Sequence, residues 1–493
     1  MLSKLKHLAK DTAIYGASTI LARGLNYVLV PLYANLLSTE DNGIQALIYA
    51  NIALANVLFT YGMETAYMKF SADAAAEKKE LGIYFSTAFL SLFVSSLMFA
   101  AVAGLFAAPI ATLMGLQESS AIFIRYSAII LLLDTLAVVP FAELRLQHKA
   151  VRFAAVRLTS VLMVVISTVI LVMGFDMGLH GAFWGNIIGS GVALLLQLPS
   201  IFSFKPIFSK PLWKEMLRLA LPYAPTGLLG ILSRLIDRNV LIRLPEENIR
   251  QIYGKDMSST DIVGIYGRVV AFGILVQLLI QVFRFAWQPF FLQHSKDSDS
   301  KPLFSRVLTL STLAILLIAL GASFFVSDII QYKFFNRFYL LPPAFWIGLP
   351  ILPIVFMSFV FEVLATNLSA GILIQKKTAY LPMISGGGAV VTIFLCLQMT
   401  PTMGMMGAAI ATTLGTAAIA AGMYVASIKF YPNQYEWGKL VPLFLASVLL
   451  YLGSDYFAWG TLGKAALFTG FLLLVGFLFR QEAKSVLARL KKR

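Results

Sequence analysis

Long apolar runs alternate with short polar connections along the whole chain. Each run is long enough for a membrane-spanning helix, which needs about 20 mostly apolar residues. Twelve predicted helices lie near 12–37, 43–67, 82–111, 121–142, 150–174, 179–203, 216–243, 263–290, 304–330, 344–373, 379–400 and 405–430. A final pair lies near 438–457 and 461–480. The pattern predicts an all-α polytopic membrane protein with about fourteen transmembrane helices.

The composition agrees with this fold class and excludes others. Of the 493 residues, 59% are hydrophobic and 13% are charged, whereas soluble chains carry about a quarter charged residues. The runs are continuously apolar rather than alternating, which excludes an outer-membrane barrel. Cys396 is the only cysteine, which excludes a disulfide scaffold. The basic start Met1–Lys10 leads into a full-length apolar run without a small-residue cleavage site, so we expect no removable signal peptide.

The net charge of +15 has a topological explanation. In a soluble protein it would suggest nucleic acid, but here the basic residues occupy short connections, and we expect no nucleic-acid partner. They concentrate on alternate connections. The opposite set of connections holds only Arg125, Arg243, Arg250, Lys255, Lys333, Arg337 and Lys464. The positive-inside rule therefore predicts an inner (cytoplasmic) membrane protein with both termini in the cytoplasm and an even number of spans.

Two similar segments indicate an internal duplication. Residues 38–44 read STEDNGI and residues 259–265 read STDIVGI, and they occupy corresponding places in the two series of helices. We expect two six-helix lobes, 1–208 and 209–432, with a central site as in transporter repeats. Residues 433–493 would add two helices of unassigned role and a basic cytoplasmic tail.

Polar stripes run along the helices that open each predicted lobe. A charge at mid-membrane costs roughly 2.5–3.5 kcal/mol, so such residues need partners or water. The stripes comprise Tyr15, Thr19, Arg23 and Asn26; Gln45, Tyr49, Asn56, Thr60 and Glu64; Tyr223, Thr226, Gly230, Arg234, Asp237 and Arg238; and Gln277, Gln281, Arg284 and Gln288. Because arginines outnumber acids on these faces, a hydrated cationic cavity is favoured over a dry junction.

Several embedded charges have two interpretations. Asp237 lies three residues from Arg234, so it either lines the cavity or forms an ion pair with that arginine. Arg268 lies near one end of the predicted helix 263–290 and points away from the stripe of Gln277, Gln281, Arg284 and Gln288. We expect it to snorkel to the interface. Glu64, close to Lys69, is either interfacial or part of the cavity.

Asp134 and Glu362 lie deeper in their predicted helices, with no cation nearby in sequence. Burial favours the neutral form of a carboxyl group. One of these acids would therefore carry a coupling ion, a proton or sodium; otherwise each simply hydrogen-bonds a neighbouring helix.

The sequence contains no motif for catalysis or cofactor binding. No G-x-x-x-x-G-K-[ST] segment occurs, and no Ser-His-Asp arrangement can be proposed from spacing. The histidines are scattered over connections at His7, His148, His180 and His294, without metal-ligand spacing. We expect a protein that is not an enzyme and that has no catalytic residue, metal site or cofactor.

Several short motifs, in the same order as in a known family, occur between about residues 10 and 430. They are Tyr15–Thr19 with Arg23, Val30–Tyr33, Leu37-Ser38, Gly62–Ala66 before Lys69-Phe70, Leu221-Pro222, Asp237-Arg238, Val263–Tyr266 and Ala286–Pro289. In this order they resemble the polysaccharide-biosynthesis (Wzx-type) oligosaccharide flippases of the multidrug/oligosaccharidyl-lipid/polysaccharide (MOP) exporter superfamily.

The resemblance implies a V-shaped pair of six-helix bundles that open alternately to each side of the membrane. Its cationic cavity would accept the pyrophosphate of a polyprenyl-linked oligosaccharide on its way to the outer leaflet for cell-surface polysaccharide, such as lipopolysaccharide. Polysaccharide polymerase or ligase machinery would be a partner. The implied cavity residues are Arg23 first, then Arg234, Arg238 and Arg284, with Asn26, Glu64, Asp237 and Gln281. The connection 244–262 departs from the family pattern by its length and has no predicted role.

Three other functions are weighed against this one. A peptidoglycan-precursor (lipid II) flippase and a drug or cation antiporter belong to the same superfamily, but a cation exporter should have an acid-dominated cavity. A membrane glycan polymerase, ligase or glycosyltransferase needs catalytic residues on a sizeable external loop. The longest connection here is short and contains no histidine.

Overall fold

The computed structural model describes residues 2–77, 80–334 and 338–480. Side chains are not described for residues 2–13, 76, 223–227, 229–230, 233–234, 289 and 334. The first half of the described chain contains α1 Leu2–Tyr27, α2 Leu29–Leu36, α3 Thr39–Thr60, α4 Met63–Ala76, α5 Gly82–Leu105, α6 Ala107–Leu113, α7 Ala121–Leu146, α8 Ala150–Val169, α9 Gly178–Leu195 and α10 Leu198–Ile201. A three-residue 3₁₀ turn precedes α7, and a short π-helical segment, Ile170–Gly174, extends α8.

The second half contains α11 Lys210–Ala220, α12 Tyr223–Leu241, α13 Glu246–Tyr253, α14 Ser259–Ala271, α15 Ile274–His294, α16 Ser300–Gln331, α17 Leu352–Ile374, α18 Tyr380–Met403, α19 Met405–Phe430, α20 Trp437–Tyr456 and α21 Thr461–Leu478. A small antiparallel hairpin, β1 Lys333–Phe334 with β2 Phe338–Tyr339, follows α16. A 3₁₀ segment, Pro343–Ile351, leads into α17.

The protein is an all-α, multi-pass membrane protein. Eleven of its described helical stretches are long and apolar enough to cross a bilayer. The predicted first, sixth and seventh spans are not among them, so the count of fourteen stays a prediction. Large apolar side chains such as Leu105, Leu449 and Leu473 are exposed on these helices. Such faces suit acyl chains, which are as apolar as leucine.

Predicted spans 1 and 2 are each broken into two helices. Span 1 breaks at Val28 between α1 and α2, three residues before Pro31. A proline lacks the N–H that would bond the carbonyl four residues earlier, here that of Tyr27, and its ring clashes with that carbonyl. Span 2 breaks where Tyr61 and Gly62 adopt positive φ values of 33° and 77°.

The chain forms two compact units. The first comprises Met1–Ala271 with Thr392–Ala408, and the second comprises Phe272–Val391 with Ala409–Arg493. One buried cluster of the first unit is built around Met63, Tyr67 and Phe85. These bounds differ from the predicted lobes, whose division at 208 and 432 stays a prediction.

The last two helices are fixed to α16 at both ends. At one end, Glu436 Oε1 lies 3.0 Å from both Arg306 Nη1 and Lys439 Nζ. At the other end, Asp328 accepts a hydrogen bond from Thr461 (3.1 Å) and lies 3.8 Å from Lys464 Nζ. Helices 13 and 14 of the sequence pattern, α20 and α21, are therefore integral parts of the second unit.

Candidate functional site

The stripe on α1 is positioned by packing of its first polar residue. The Tyr15 ring meets Phe153 of α8 edge-on, with 5.0 Å between ring centroids. Thr19 donates a hydrogen bond to the Tyr15 carbonyl, which satisfies its hydroxyl within the helix. Farther along the same stripe, Arg23 and Asn26 are exposed. Their polar groups are therefore accessible from the surface of the first unit.

Glu64 forms an ion pair across two helices. Its carboxylate accepts a hydrogen bond from Arg145 of α7, and the guanidinium also lies 6.0 Å from the centre of the Phe153 ring. Lys69, the neighbour considered from the sequence, lies 3.5 Å from Asp73 instead. The charge of Glu64 is therefore balanced by that of Arg145.

Asp237 of α12 is buried and takes two partners. Its Oδ1 lies 3.2 Å from Arg238 Nη1, and its Oδ2 accepts a 2.8 Å hydrogen bond from Tyr266 of α14. The Arg238 guanidinium also lies 5.8 Å from the centre of the Tyr266 ring. The Arg234 side chain lies outside the described residues, so the pairing considered between Arg234 and Asp237 stays a prediction.

Arg284 and Glu362 lie together in the second unit. Arg284 Nη2 on α15 is 3.2 Å from Glu362 Oε1 and 3.2 Å from Thr366 Oγ1, both on α17. The Arg284 side chain is 48% exposed and that of Glu362 is 15% exposed. Gln281 is half-buried one turn before Arg284. Glu362, which has no cation nearby in the sequence, therefore lies next to one in the folded chain.

Asp134 is half-buried on α7 and faces two neighbouring helices. It hydrogen-bonds Ser190 of α9 and lies within electrostatic range of Arg157 on α8. This acid also has partners that the sequence pattern did not reveal. The hydrogen bond to a neighbouring helix agrees with the simpler of its two interpretations, and its role in ion coupling stays a prediction.

Sequence reasoning missed the environment of Arg268. The expectation that it snorkels to the interface is wrong, because its Nε donates to Asn42 Oδ1 and its Nη2 to Gln45 Oε1, both buried on α3. Its guanidinium also lies 5.0 Å from the centre of the Tyr33 ring. The available signal was a pair of amides three residues apart, Asn42 just before the predicted span 43–67 and Gln45 within it.

Glycines allow α3 and α14 to approach closely enough for these bonds. A Cβ added to Gly264 would collide with the Thr39 carbonyl oxygen, and one added to Gly43 would collide with the Thr260 carbonyl oxygen. Thr39 Oγ1 also donates a 2.5 Å hydrogen bond to Asp261 Oδ1. The two glycines occupy equivalent positions of the similar segments 38–44 and 259–265. The contact is therefore reciprocal, as expected for duplicated helices.

The connection 244–262 also has a structural role. Its helix α13 lies against the turn between α18 and α19, where Asn248 donates a 2.9 Å hydrogen bond to the Pro401 carbonyl. Tyr253 Oη accepts a 2.7 Å hydrogen bond from the Met405 amide. Gly404 has a φ of +56°, and a Cβ there would collide with Tyr253 Oη. The connection 244–262 is thus attached to the turn between α18 and α19, which belongs to the same unit.

Comparison with known proteins places this arrangement in a family. A family model described as polysaccharide biosynthesis protein matches residues 8–295, more than half of the chain. The chain belongs to this polysaccharide biosynthesis family. The resemblance predicted from the motifs is confirmed, although the family model ends well before residue 430. No curated protein sequence matches the chain.

Solved structures of MOP superfamily transporters share the fold of this family member. The inward closed conformation of the lipid II flippase MurJ has a TM-score of 0.75 at 16% identity, covering 96% of this chain and 100% of that chain. An inward-facing multidrug MATE transporter has a TM-score of 0.59 at 13% identity, covering 82% and 93%. The Vibrio cholerae MATE transporter VcmN in the bent form has a TM-score of 0.54 at 14% identity, covering 86% and 96%. Identities this low establish the shared fold alone.

In this polysaccharide biosynthesis protein, the predicted site residues fall into two sets. The first unit contains Arg23, Asn26, Glu64, Asp134, Arg234, Asp237 and Arg238. The second unit contains Gln281, Arg284 and Glu362. Among the described residues, no three His, Cys, Asp or Glu side chains group as metal ligands.

Proposed function

We propose that the protein is a flippase that moves a polyprenyl-pyrophosphate-linked oligosaccharide from the cytoplasmic to the outer leaflet of the inner membrane by alternating access. Membership of the polysaccharide biosynthesis family supports a role in glycan assembly. The fold shared with a lipid II flippase and with MATE transporters supports transport as the means. The translocated glycan would serve cell-surface polysaccharide synthesis.

The observation that carries this proposal is the incomplete neutralisation of Arg268. Arg238 has a carboxylate partner in Asp237, and Arg284 has one in Glu362. The acceptors described for Arg268 are the neutral amides of Asn42 and Gln45. An embedded cation whose partners are neutral favours an anion, and a pyrophosphate oxygen suits the guanidinium fork.

Two further donors accompany this cation. The Gln45 amide and the buried Tyr33 hydroxyl both lie beside Arg268, and Tyr33 hydrogen-bonds Gln45 and Thr168. Both groups carry N–H or O–H donors, so an acceptor that entered here would receive hydrogen bonds in place of these neutral partners. A phosphate oxygen is such an acceptor.

The ion pairs between embedded acids and arginines disfavour a drug or cation antiporter. Of the four acids singled out in predicted spans, Glu64, Asp237 and Glu362 already have arginine partners. A cation substrate would have to compete with a covalently attached guanidinium at each of them.

The direct test uses the purified chain in liposomes that contain a fluorescent polyprenyl-pyrophosphate oligosaccharide. Flipping is measured as the change in the lipid fraction that a membrane-impermeant periodate solution oxidises. We expect the chain to accelerate flipping and Arg268→Ala to slow it at least about tenfold, as the loss of a charge-assisted hydrogen bond predicts. Arg250→Ala is the control, because Arg250 pairs with Asp256 at an exposed position.

The outcomes separate the functions. Acceleration of lipid II alone would favour the peptidoglycan-precursor alternative. Transfer of radiolabelled sugar to an acceptor by the purified protein would replace the flippase by a glycosyltransferase or polymerase. In cells, a deletion strain should accumulate the lipid-linked glycan on the cytoplasmic side of the membrane.

A further inference from the structure

The connection between α10 and α12 carries a basic stripe of four residues, with a single acid, Glu215, on the same helix. Lys210, Lys214 and Arg218 lie four residues apart on α11 and are all exposed, as is Lys205 just before the helix. The four cations outnumber the single exposed carboxylate of α11, that of Glu215. Like charges four residues apart destabilise a helix by a few tenths of a kcal/mol per pair. The repulsion within the stripe therefore lowers the stability of α11.

The helix that presents this stripe is nevertheless held firmly on α5. Ser86 Oγ donates to the Lys205 carbonyl (2.5 Å), and Thr87 Oγ1 accepts from the Ser209 amide (3.2 Å). One turn farther along α5, Ser91 Oγ accepts from Trp213 Nε1 (2.8 Å). Three successive hydrogen bonds therefore fix the connection along one face of α5.

The other side of α11 is buried in the first unit. Met216 and Ala220 are fully buried in the cluster that contains Tyr67 and Phe85. Ser209 caps the helix by accepting from the Leu212 amide at 3.4 Å. The basic stripe thus belongs to a preformed helix whose apolar side is already satisfied by protein.

Exposed apolar side chains flank the stripe. Phe202 is 79% exposed, and Ile207 and Phe208 are each 47% exposed. They belong to the segment whose Lys205 carbonyl and Ser209 amide bond Ser86 and Thr87 in the first turns of α5, a candidate membrane span beginning at Gly82. The surface therefore combines cations with apolar anchors where a membrane span ends. Such a combination is typical of segments that bind anionic lipid at the interface.

We propose that Lys205, Lys210, Lys214 and Arg218 form a binding site for the headgroups of anionic phospholipids, with Phe202, Ile207 and Phe208 inserted among the acyl chains. The exposed aromatic and aliphatic side chains favour a lipid over free phosphate, which offers them no apolar contact. The four basic residues are not among the proposed cavity residues, and the site does not depend on the identity of the transported lipid.

The test measures phosphatidylglycerol bound to the detergent-solubilised full chain by native mass spectrometry, with phosphatidylcholine as the neutral lipid. The patch variant carries Lys205→Gln, Lys210→Gln, Lys214→Gln and Arg218→Gln. A matched variant carries Lys255→Gln, Lys376→Gln, Lys377→Gln and Lys429→Gln, four exposed lysines outside the patch. Both variants remove four charges, so a general charge effect would lower binding equally in the two.

We expect phosphatidylglycerol to bind at least about tenfold more weakly to the patch variant, since each basic residue near an anionic surface contributes to attraction. The matched variant should bind like the unmodified chain. Inorganic phosphate in excess should not displace the lipid, and Phe202→Ser with Phe208→Ser should weaken its binding. Equal binding by the patch and matched variants, or full displacement by inorganic phosphate, would overturn the proposal. Unchanged circular dichroism of both variants would show that they are folded.

Discussion

Arg284 Nη2 lies 3.2 Å from Glu362 Oε1, across 78 residues of sequence. The sequence assigned these residues to two roles, substrate binding and ion coupling. In the structure they share one ion pair, so the charge that Arg284 offers to a substrate depends on Glu362.

We predict that ion coupling depends on Glu362 or Asp134. Glu362→Gln keeps an oxygen acceptor for Arg284 but removes the exchangeable proton, and Asp134→Asn does the same beside Ser190. Transport is measured in proteoliposomes under an imposed pH gradient and again without one. We expect at least one variant to lose the acceleration by the gradient. If both single variants and the double variant respond to the gradient like the unmodified chain, neither acid carries the ion.

Arg23→Ala is predicted to abolish export while the protein remains in the membrane. Arg23 is exposed in the first unit on the stripe of Tyr15 and Thr19, and alanine removes a bidentate donor for phosphate. Export is measured as surface polysaccharide, and membrane content by immunoblot. Arg23→Lys, which keeps the charge but loses the fork, should retain partial activity. Full export with Ala would show that this arginine is merely tolerated.

Gly264→Ala is predicted to disrupt the contact between α3 and α14. The added Cβ would collide with the Thr39 carbonyl oxygen, a backbone atom that cannot rotate away. We expect a loss of about 1–3 kcal/mol in the free energy of unfolding, the usual cost of overpacking. Thermal unfolding in detergent measures it. Gly191→Ala is the control, because no atom lies within 4 Å of a Cβ there. Equal stability of the two variants would argue against the close contact.

The topology is predicted to place both termini in the cytoplasm. A cysteine introduced at Arg493 should react with a membrane-impermeant maleimide only after permeabilisation, whereas one introduced at Lys255 should react in intact cells. The native thiol, Cys396, is buried and is replaced by serine to remove the background. Labelling at position 493 in intact cells would refute the orientation and the even number of spans.

Acid is predicted to loosen the attachment of α20 to α16. Burial acts to raise the pKa of Glu436, but hydrogen bonds from Thr309 and Lys439 and the charges of Arg306 and Lys439 together lower it. A carboxyl with a lowered pKa stabilises the folded state above its ordinary pKa, and this contribution disappears as the pH falls through the folded-state pKa. Limited proteolysis around residue 436 should therefore increase as the pH falls below about 4.

Glu436→Gln supplies the control for this effect. It should be less stable than the unmodified chain at neutral pH by about 1 kcal/mol, since the pair is only partly exposed. Its proteolysis should change less with pH. If the variant and the unmodified chain respond alike to acid, another carboxyl group is responsible.

The sequence alone determined the fold class, the approximate positions of the helices and the family. Apolar run length reports the free energy of moving a segment from water into lipid, which depends on the segment itself. The family motifs are local as well. The sequence also indicated the duplication, because the segments 38–44 and 259–265 can be compared letter by letter.

Only the tertiary structure decided which polar residues meet. Arg268 and Asn42 are 226 residues apart, and Arg145 and Glu64 are 81 apart. Hydrophobic patterning cannot pair them, because every apolar helix is equally compatible with lipid and no periodicity links one helix to its neighbour. Their pairing depends on close helix contacts such as the one at Gly43 and Gly264. Whether an embedded arginine has a carboxylate or an amide as its partner is therefore a property of helix packing.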